Sequence, residues 1–226
     1  MRVHVAFTPA EAASAPLGIV VDVLRATSTI AQALDAGYRR VYCCSEIDQA
    51  RALREMLGEG LLGGEREAVR IDGFDVGASP REFLEPRAET LILSTTNGTR
   101  AILTAADRCD EVVLGSLLNL GAVATLAGER GRDVAVVCSG FKGAFALDDA
   151  YCAGRIVQRL DAERTDAALA AERLAASFAT PLEGLEARTY GPPGLEEDIR
   201  FCARESVLRV VPHLAGMVGG AAEIGP

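Results

Sequence analysis

The chain has 226 residues, of which 49% are hydrophobic and 24% are charged, and its net charge is −9. This composition is typical of a globular protein and excludes a disordered chain, a collagen and a disulfide scaffold. The acidic balance argues against nucleic acid as a partner, and the longest apolar runs are too short to predict a membrane span.

Strands and helices are predicted to alternate along most of the chain. The predicted strands are continuous apolar runs at residues 17–23, 39–44, 90–94, 111–115 and 133–139. The predicted helices cover residues 27–37, 46–57, 98–107, a segment from Ser116 or Asn119 to Glu129, and 148–160. Unbroken apolar strands separated by helices favour a largely parallel sheet with helices on both faces. We therefore predict an α/β fold, a three-layer sandwich with a mainly parallel or mixed central sheet, as a single domain over residues 1–226.

The C-terminal third is predicted to add extra helices to this sandwich. Residues 161–190 are rich in alanine and glutamate, the Gly-Pro-Pro-Gly of 191–194 interrupts the chain, and residues 195–206 have a helical pattern. Residues 207–212 are predicted to be extended. The glycine-rich segment 216–226 is predicted to fray.

A first group of polar residues lies where the strand at 17–23 ends. Asp22 ends this strand, and Arg25, Thr27 and Ser28 follow where a helix begins. A helix N-terminus, hydroxyls and an arginine are all donors to an oxyanion, and the carboxylate either holds a divalent cation or attacks phosphorus. The structural alternative is a capped helix with a salt bridge between Asp22 and Arg25.

A second group, Ser94–Arg100, again joins a strand to a helix. It contains hydroxyls, the amide of Asn97, the arginine and Gly98, which lets the backbone approach a ligand closely. The structural alternative is a turn capped by Asn97. The number of donors exceeds what a cap needs, which favours a binding role.

A third group combines the glycine-rich segment 138–143 with Asp148 and Asp149. It contains the only lysine of the chain, Lys142. Adjacent carboxylates reach one site only near the first turn of a helix, where they can share Mg²⁺, a cation that prefers oxygen ligands. The structural alternative is an acidic first turn. Cys138 ends an apolar strand, which favours a buried thiol over a nucleophile.

A fourth group consists of two segments, 63–66 and 73–80. Both are predicted to be glycine-punctuated turns, and together they carry Glu65, Arg66 and Asp75. By themselves such turns are typical of protein surfaces.

These groups, taken in order, resemble the 2-phosphosulfolactate phosphatase family, Mg²⁺-dependent enzymes of coenzyme M biosynthesis. The segments are VVDVLRATSTI (20–30), GGER (63–66), GFDVGASP (73–80), STTNGTRA (94–101), CSGFKGAFALDDAYCAG (138–154) and DIRFCARESVLRVVP (198–212). The chain departs from the family pattern at three positions. Ala78 stands where asparagine is usual, Asp148 where glutamate is usual, and Glu205 near a usual aspartate.

The resemblance implies hydrolysis of the phosphomonoester of a small organic acid, which in the family is 2-phosphosulfolactate, cleaved to sulfolactate and phosphate. It implies Mg²⁺ as cofactor, held by Asp22, Glu65, Asp148 and Asp149. It implies catalytic roles for Asp22, Arg25 and Asp149. It implies substrate contacts from Thr27, Ser28, Arg66, Asn97, Gly98, Thr99, Arg100 and Lys142.

Several alternatives stay open at this point. A non-catalytic module would bind a phosphorylated metabolite with the same loops, although carboxylates beside an anion then need a cation. Two further alternatives are a phosphatase for a different phospho-acid and a thiol-dependent hydrolase that uses Cys138. Two routes also remain for Asp22: it attacks phosphorus itself, or it holds the metal while water attacks. The lack of a second aspartate two residues after Asp22 favours water.

The sequence also bears on location. No apolar signal segment is visible at the N-terminus, and six cysteines without a paired spacing are typical of reduced thiols. We therefore expect a cytoplasmic protein. A homo-oligomer and the roles of Asp75 and Cys138 are left open.

Overall fold

The computed structural model describes residues 1–191 and 193–226. The strands are β1 (Arg2–Ala6), β2 (Ala15–Val21), β3 (Arg40–Cys44), β4 (Leu61–Arg66), β5 (Val69–Arg70), β6 (Thr90–Ser94), β7 (Cys109–Gly115), β8 (Val134–Cys138), β9 (Glu163–Arg164), β10 (His213–Val218) and β11 (Ala221–Gly225). The α-helices are α1 (Ala26–Ala36), α2 (Ile47–Leu57), α3 (Gly98–Ala106), α4 (Leu120–Arg130), α5 (Leu147–Gln158), α6 (Asp166–Ala176), α7 (Pro181–Glu186) and α8 (Glu196–Cys202). Short 3-10 helices cover Pro9–Glu11 and Pro80–Phe83.

The strands form one mixed sheet in the order β5-β4-β6-β3-β11-β10-β7-β2-β8-β1-β9. The predicted strands at 17–23, 90–94 and 133–139 correspond to β2, β6 and β8 and lie in this sheet. Helices α1 and α3 pack on one face, and α2, α4 and α5 pack on the other. The predicted three-layer α/β sandwich is confirmed.

The sheet consists of two parallel halves joined by an antiparallel hairpin. In the first half β4, β6 and β3 run parallel, and in the second half β7, β2, β8 and β1 run parallel. The hairpin of β10 and β11 lies between them and pairs antiparallel with both β7 and β3. The two halves therefore run in opposite directions along the hydrogen-bonded order.

The carboxyl ends of both halves nevertheless lie close together. In a flat sheet the reversal would place these ends at opposite edges. Asp22 follows β2 in the second half and Gly98 follows β6 in the first, yet a Cβ atom at Gly98 would lie 2.8 Å from Oδ2 of Asp22. Since α1 and α3 contact strands of both halves, the sheet curves around this helix layer.

Two predictions about glycine-rich segments were wrong. Residues 216–226 do not fray: they supply most of the hairpin, whose turn is Gly219 and Gly220, both with positive φ, the conformation that tight hairpin turns require. Residues 63–66 are part of strand β4 rather than a turn. Gly63 and Gly64 pair with β6 and are buried.

The C-terminal third contains helices, as predicted, but less regularly. Helices α6 and α7 account for part of 161–190, and α8 is shorter than the predicted helix at 195–206. Residues 207–212 are not assigned to a strand, although their backbone bonds to the loop after β7, with the N–H of Leu208 donating to the carbonyl of Leu118 at 2.9 Å. The predicted break at 191–194 includes Pro192, which lies outside the described residues.

Candidate active site

A cavity of about 380 Å³ lies where the loops after β2, β6 and β8 meet the end of β4. Each strand ends in a short polar loop, so their side chains converge as expected for an α/β sheet. The charged residues that line the cavity are Asp22, Glu65, Glu67, Asp148, Asp149, Arg25, Lys142 and Arg188. Acidic and basic groups thus line the same cavity.

Asp22 is fixed at the end of β2 by the first turn of α1. The N–H of Ala26 donates to its Oδ1 at 3.2 Å, and the hydroxyl of Thr27 donates to its carbonyl at 2.9 Å. Its other oxygen lies close to Gly98, where only a residue without Cβ fits. Burial raises the pKa of Asp22 to about 6. This is a rigid carboxylate that is costly to ionise without a cation nearby.

Asp149 ties two of the cavity loops together from the first turn of α5. The N–H of Val23 donates to its Oδ1 at 2.9 Å. The hydroxyl of Ser139 and the N–H of Gly140 donate to its Oδ2 at 2.9 and 3.0 Å. Burial raises its pKa, and the charges of Asp148 and Asp22 raise it further. Both of its oxygens therefore hold the loops after β2 and β8 in place.

Asp148 lies beside Asp149 but bonds to a different part of the chain. Its Oδ1 accepts the N–H of Asp149 at 3.0 Å and the hydroxyl of Tyr190. Burial raises its pKa, while the bond from Tyr190 and the charge of Arg188 lower it in part. The first turn of α5 thus brings both carboxylates to the cavity, as predicted.

Glu65 lies at the end of β4 and is only half-buried. Its Oε1 accepts the hydroxyl of Thr96 at 3.3 Å, and its Oε2 accepts the N–H of Ala68 at 2.7 Å. Its charge raises the pKa of Asp22 slightly, beyond the larger effect of burial. Glu65 is therefore near the aspartates, with both oxygens engaged by the chain.

The donor chemistry of the cavity fits Mg²⁺. Asp22, Asp148 and Asp149 are buried, and each repels another. Within residues 1–191 and 193–226, no three or more His, Cys, Asp or Glu side chains are grouped to hold a metal ion by themselves. Mg²⁺ commonly takes one or two protein carboxylates and completes its shell with water and substrate phosphate. The hydrogen bonds described above use only Oδ1 of Asp22 and Asp148, which suits that arrangement.

Arg25 lines the cavity but does not pair with Asp22. Its Nη1 lies 2.6 Å from Oδ2 of Asp198, and both side chains are buried. Asp198 also accepts the hydroxyl of Ser79 at 2.6 Å and lies 3.7 Å from Arg81. The structural alternative of an Asp22–Arg25 salt bridge is wrong, since Asp198 orients the arginine.

The predicted hydroxyl ligands support the loops and do not line the cavity. Thr27 binds the backbone of Asp22, and Ser28 donates to the carbonyl of Val23 at 2.8 Å. Thr99 donates to a backbone carbonyl of β3 at 3.3 Å. All three are essentially inaccessible to solvent. Gly98 acts through close packing against Asp22 rather than as a lining residue.

The predicted basic and amide ligands separate into two sets. Arg66 donates to carbonyls at the ends of β4 and β6 and to that of Ser45, outside the cavity lining. Arg100 is exposed on α3, also outside the lining. Asn97 and Lys142 do line the cavity. Only this second set is placed to contact a bound molecule.

Sequence reasoning missed a segment that closes one side of the cavity. Arg188 and Tyr190 line it, and the Tyr190 ring stacks on Phe141 with centroids 4.6 Å apart. These residues lie in an irregular segment after α7, inside a stretch predicted to be helical. Asp198 was also missed, although it begins the quoted motif DIRFCARES; its signal was a lone acid that precedes an apolar helix face.

The departures from the family pattern fall in different places. Ala78 lines the cavity and is buried, so the missing asparagine side chain changes the cavity wall itself. Glu205 pairs with Arg155 and Arg159 outside the lining.

Asp75 of the fourth polar group also lies outside the cavity lining. It accepts the N–H of Leu62 at 2.8 Å and so has a structural role.

The thiols give no support to a cysteine nucleophile. All six cysteines are free, and Cys138 is fully buried. Burial and the nearby charge of Asp149 raise the pKa of Cys138, which disfavours the reactive thiolate.

Among the described residues, no helix is long and apolar enough to cross a membrane.

Comparison with known proteins gives one consistent result. The family model described as 2-phosphosulpholactate phosphatase matches residues 5–216. A probable 2-phosphosulfolactate phosphatase of Thermus thermophilus is 37% identical over 233 residues, which cover 98% of each chain. Proteins with the same description from Thermotoga petrophila and Carboxydothermus hydrogenoformans are 36% identical over 96% of each chain, and 35% identical over 94% of this chain and 93% of the relative.

Proposed function

The chain belongs to the 2-phosphosulfolactate phosphatase family, and on this premise we propose that it hydrolyses the phosphomonoester of a small organic acid with the help of Mg²⁺. The observation that carries the proposal is the cavity in which three buried aspartates face arginine and lysine side chains. The proposed substrate is 2-phosphosulfolactate, the compound in the relatives' names, which yields sulfolactate and phosphate.

The basic side of the cavity supports binding of the phosphate. Arg25 follows Asp22 by three residues on the same loop, and its ion pair with Asp198 holds the guanidinium in one place. A planar guanidinium in a buried site binds phosphate oxygens through charge-assisted hydrogen bonds. Asn97 lines the same cavity and adds an amide donor.

The acidic side supports binding of the cation. Asp22 and Asp148 would hold Mg²⁺, while Asp149 and Glu65 keep the surrounding loops in place through the hydrogen bonds described above. When bound, Mg²⁺ neutralises the phosphate charge and polarises the phosphoryl oxygens. A binding module that lacked a cation would instead set carboxylates against an anionic ligand.

For the reaction itself we favour direct attack by water. Water adds to phosphorus, the ester P–O bond breaks, and the departing hydroxy acid takes up a proton. Asp22 is rigid and lies three residues before Arg25. This placement suits either a carboxylate that holds the cation while water attacks or one that attacks phosphorus directly. Acid-quench trapping of labelled phosphate distinguishes the two, because only attack by Asp22 leaves phosphate on the protein.

The test of the proposal is phosphate release from 2-phosphosulfolactate with Mg²⁺ and with EDTA. We expect turnover that EDTA abolishes and added Mg²⁺ restores. Binding of the ester without release of phosphate would favour the non-catalytic module. Turnover that iodoacetamide blocks and EDTA leaves intact would favour Cys138.

We also propose that the protein acts in coenzyme M biosynthesis in the cytoplasm. Six free thiols support a reducing compartment. Because Ala78 replaces the usual asparagine in the cavity wall, a parallel assay with 2-phospholactate tests whether this chain prefers another phospho-acid.

A further inference from the structure

Three cationic side chains line the cavity, and they differ in how their charge is balanced. Arg25 is paired with Asp198 at 2.6 Å. Lys142 lies 3.2 Å from Glu67, with both side chains largely exposed at 63% and 79%, so this pair belongs to the solvent-facing rim. Within the part of the chain that the structure describes, Arg188 has no ion pair. Among the described residues it alone of the three lacks a carboxylate at ion-pair distance, although its charge acts on Asp148.

Arg188 is nevertheless held in place. It belongs to a short segment, residues 188–191, that we call the strap. A Cβ atom at Gly191 would lie 2.6 Å from Nη1 of Arg188, so the guanidinium packs against the backbone of a glycine whose φ is +103°. Tyr190 fixes the strap at a second place, since its ring stacks on Phe141 and its hydroxyl donates to Asp148.

The chemistry of this position is that of an anion site. A guanidinium presents a rigid fork of donors that matches a carboxylate or a sulfonate. The charge of Arg188 acts on Asp148, whereas Arg25 lies on the loop of Asp22. A phosphate beside Asp22 is therefore within reach of Arg25, which leaves the strap arginine for a second negative group on the same molecule.

We propose that Arg188 binds the acidic group of the substrate that is not transferred, a carboxylate or sulfonate, and so selects phosphorylated acids over phosphate esters of neutral alcohols. The inference rests on the proposed phosphatase activity and assigns the substrate class to one side chain. It also explains why the strap is tied to Asp148: recognition of the acid and placement of the reacting phosphate are connected through Tyr190.

The test compares two esters that differ by one acidic group, 2-phospholactate and isopropyl phosphate. In Arg188→Gln we expect the ratio of their kcat/KM values to fall roughly ten- to a hundred-fold, mainly through KM for the acid, since one charge-assisted contact is lost. Arg188→Lys should recover part of the ratio. Arg173→Gln, an exposed arginine on α6, is the matched control and should keep the wild-type ratio.

Two outcomes overturn the inference. An unchanged ratio with both kcat/KM values close to wild type in Arg188→Gln shows that the arginine does not contact the substrate. Equal losses for both esters show that it serves the phosphate instead.

Calorimetry with sulfolactate tests the same contact without catalysis. Binding that weakens at least tenfold in Arg188→Gln supports the inference even if the chain hydrolyses neither ester, in which case the proposed function alone fails. Unchanged binding counts against Arg188. A thermal unfolding midpoint close to wild type shows that each variant is folded.

Discussion

The inner wall of the cavity and its rim hold their polar groups in different ways. On the inner wall, Asp22 and Asp149 are bound by backbone N–H groups and hydroxyls of neighbouring loops. On the rim, Lys142 makes an exposed ion pair, and Arg188 makes none among the described residues. Rigid placement suits the reacting groups. Residues that recognise the substrate can lie on irregular segments, where a change of residue alters substrate preference without moving the reacting groups.

The strongest test of the inner wall is Asp22→Asn. We expect kcat to fall by about a thousandfold or more, because the exchange removes a carboxylate required under either route. The measurement is steady-state phosphate release with saturating Mg²⁺. Residual activity within about tenfold of wild type would mean that Asp22 is a loop-bracing residue only.

Asp149→Asn should separate bracing from cation binding. An amide cannot accept hydrogen bonds at both positions, so one of its three loop donors loses its partner, which costs about 1–3 kcal/mol. We expect a lower unfolding midpoint and an activity loss of roughly a hundredfold.

Asp148→Asn is the matched comparison. We expect it to weaken Mg²⁺ affinity in a calorimetric titration with a smaller effect on the unfolding midpoint. Equal loss of stability in the two variants would contradict the division of roles between the neighbouring aspartates.

Arg25→Ala is expected to lower kcat/KM by roughly ten- to a hundred-fold, the effect of one buried charge-assisted contact. Asp198→Asn should lower it less, by about three- to tenfold, because the guanidinium is kept but its orientation is relaxed. A loss below about twofold in Arg25→Ala would assign this arginine to structure. Arg173→Gln again serves as the unaffected reference.

The smallest effect concerns stability and pH in protein stripped of metal by EDTA. Burial raises the pKa of Asp22 from 3.8 to about 6, so the folded chain binds more protons than the unfolded chain between these values. The free energy of unfolding should therefore fall as pH rises from about 4 to about 7, and the part of this loss between pH 5.5 and 7.5 is about 1 kcal/mol relative to Asp22→Asn. Denaturant titrations at both pH values measure it. An opposite slope would show that Asp22 is ionised at low cost in the folded state.

The inner wall could be predicted from the sequence because its residues follow buried strands. The apolar runs indicate the positions of β2, β6 and β8, and the polar segments after them contain Asp22, Asn97 and Asp149. Which hydroxyl braces a loop and which faces the cavity depends on side-chain direction in three dimensions. Thr27 and Ser28 therefore look like ligands in the sequence and bind backbone in the structure.

The rim and the middle of the sheet could not be predicted in the same way. The strap has no periodic pattern, and its partner Phe141 is distant in the chain. In the sequence the hairpin turn at Gly219 and Gly220 resembles a flexible end, since its short strands contain small residues and alternate weakly. Their place in the sheet is decided by β3 and β7, which local patterns do not reveal.

The hairpin has a consequence for the order of events during synthesis. Ile224 pairs with Val41, and each half-sheet can assemble from strands made earlier, but no strand pairs with both halves until β10 and β11 have left the ribosome. Pairing over so long a stretch of chain is slow. The nascent chain should thus carry two half-sheets that share no hydrogen-bonded strand, and complete the sheet between them in a single late docking step.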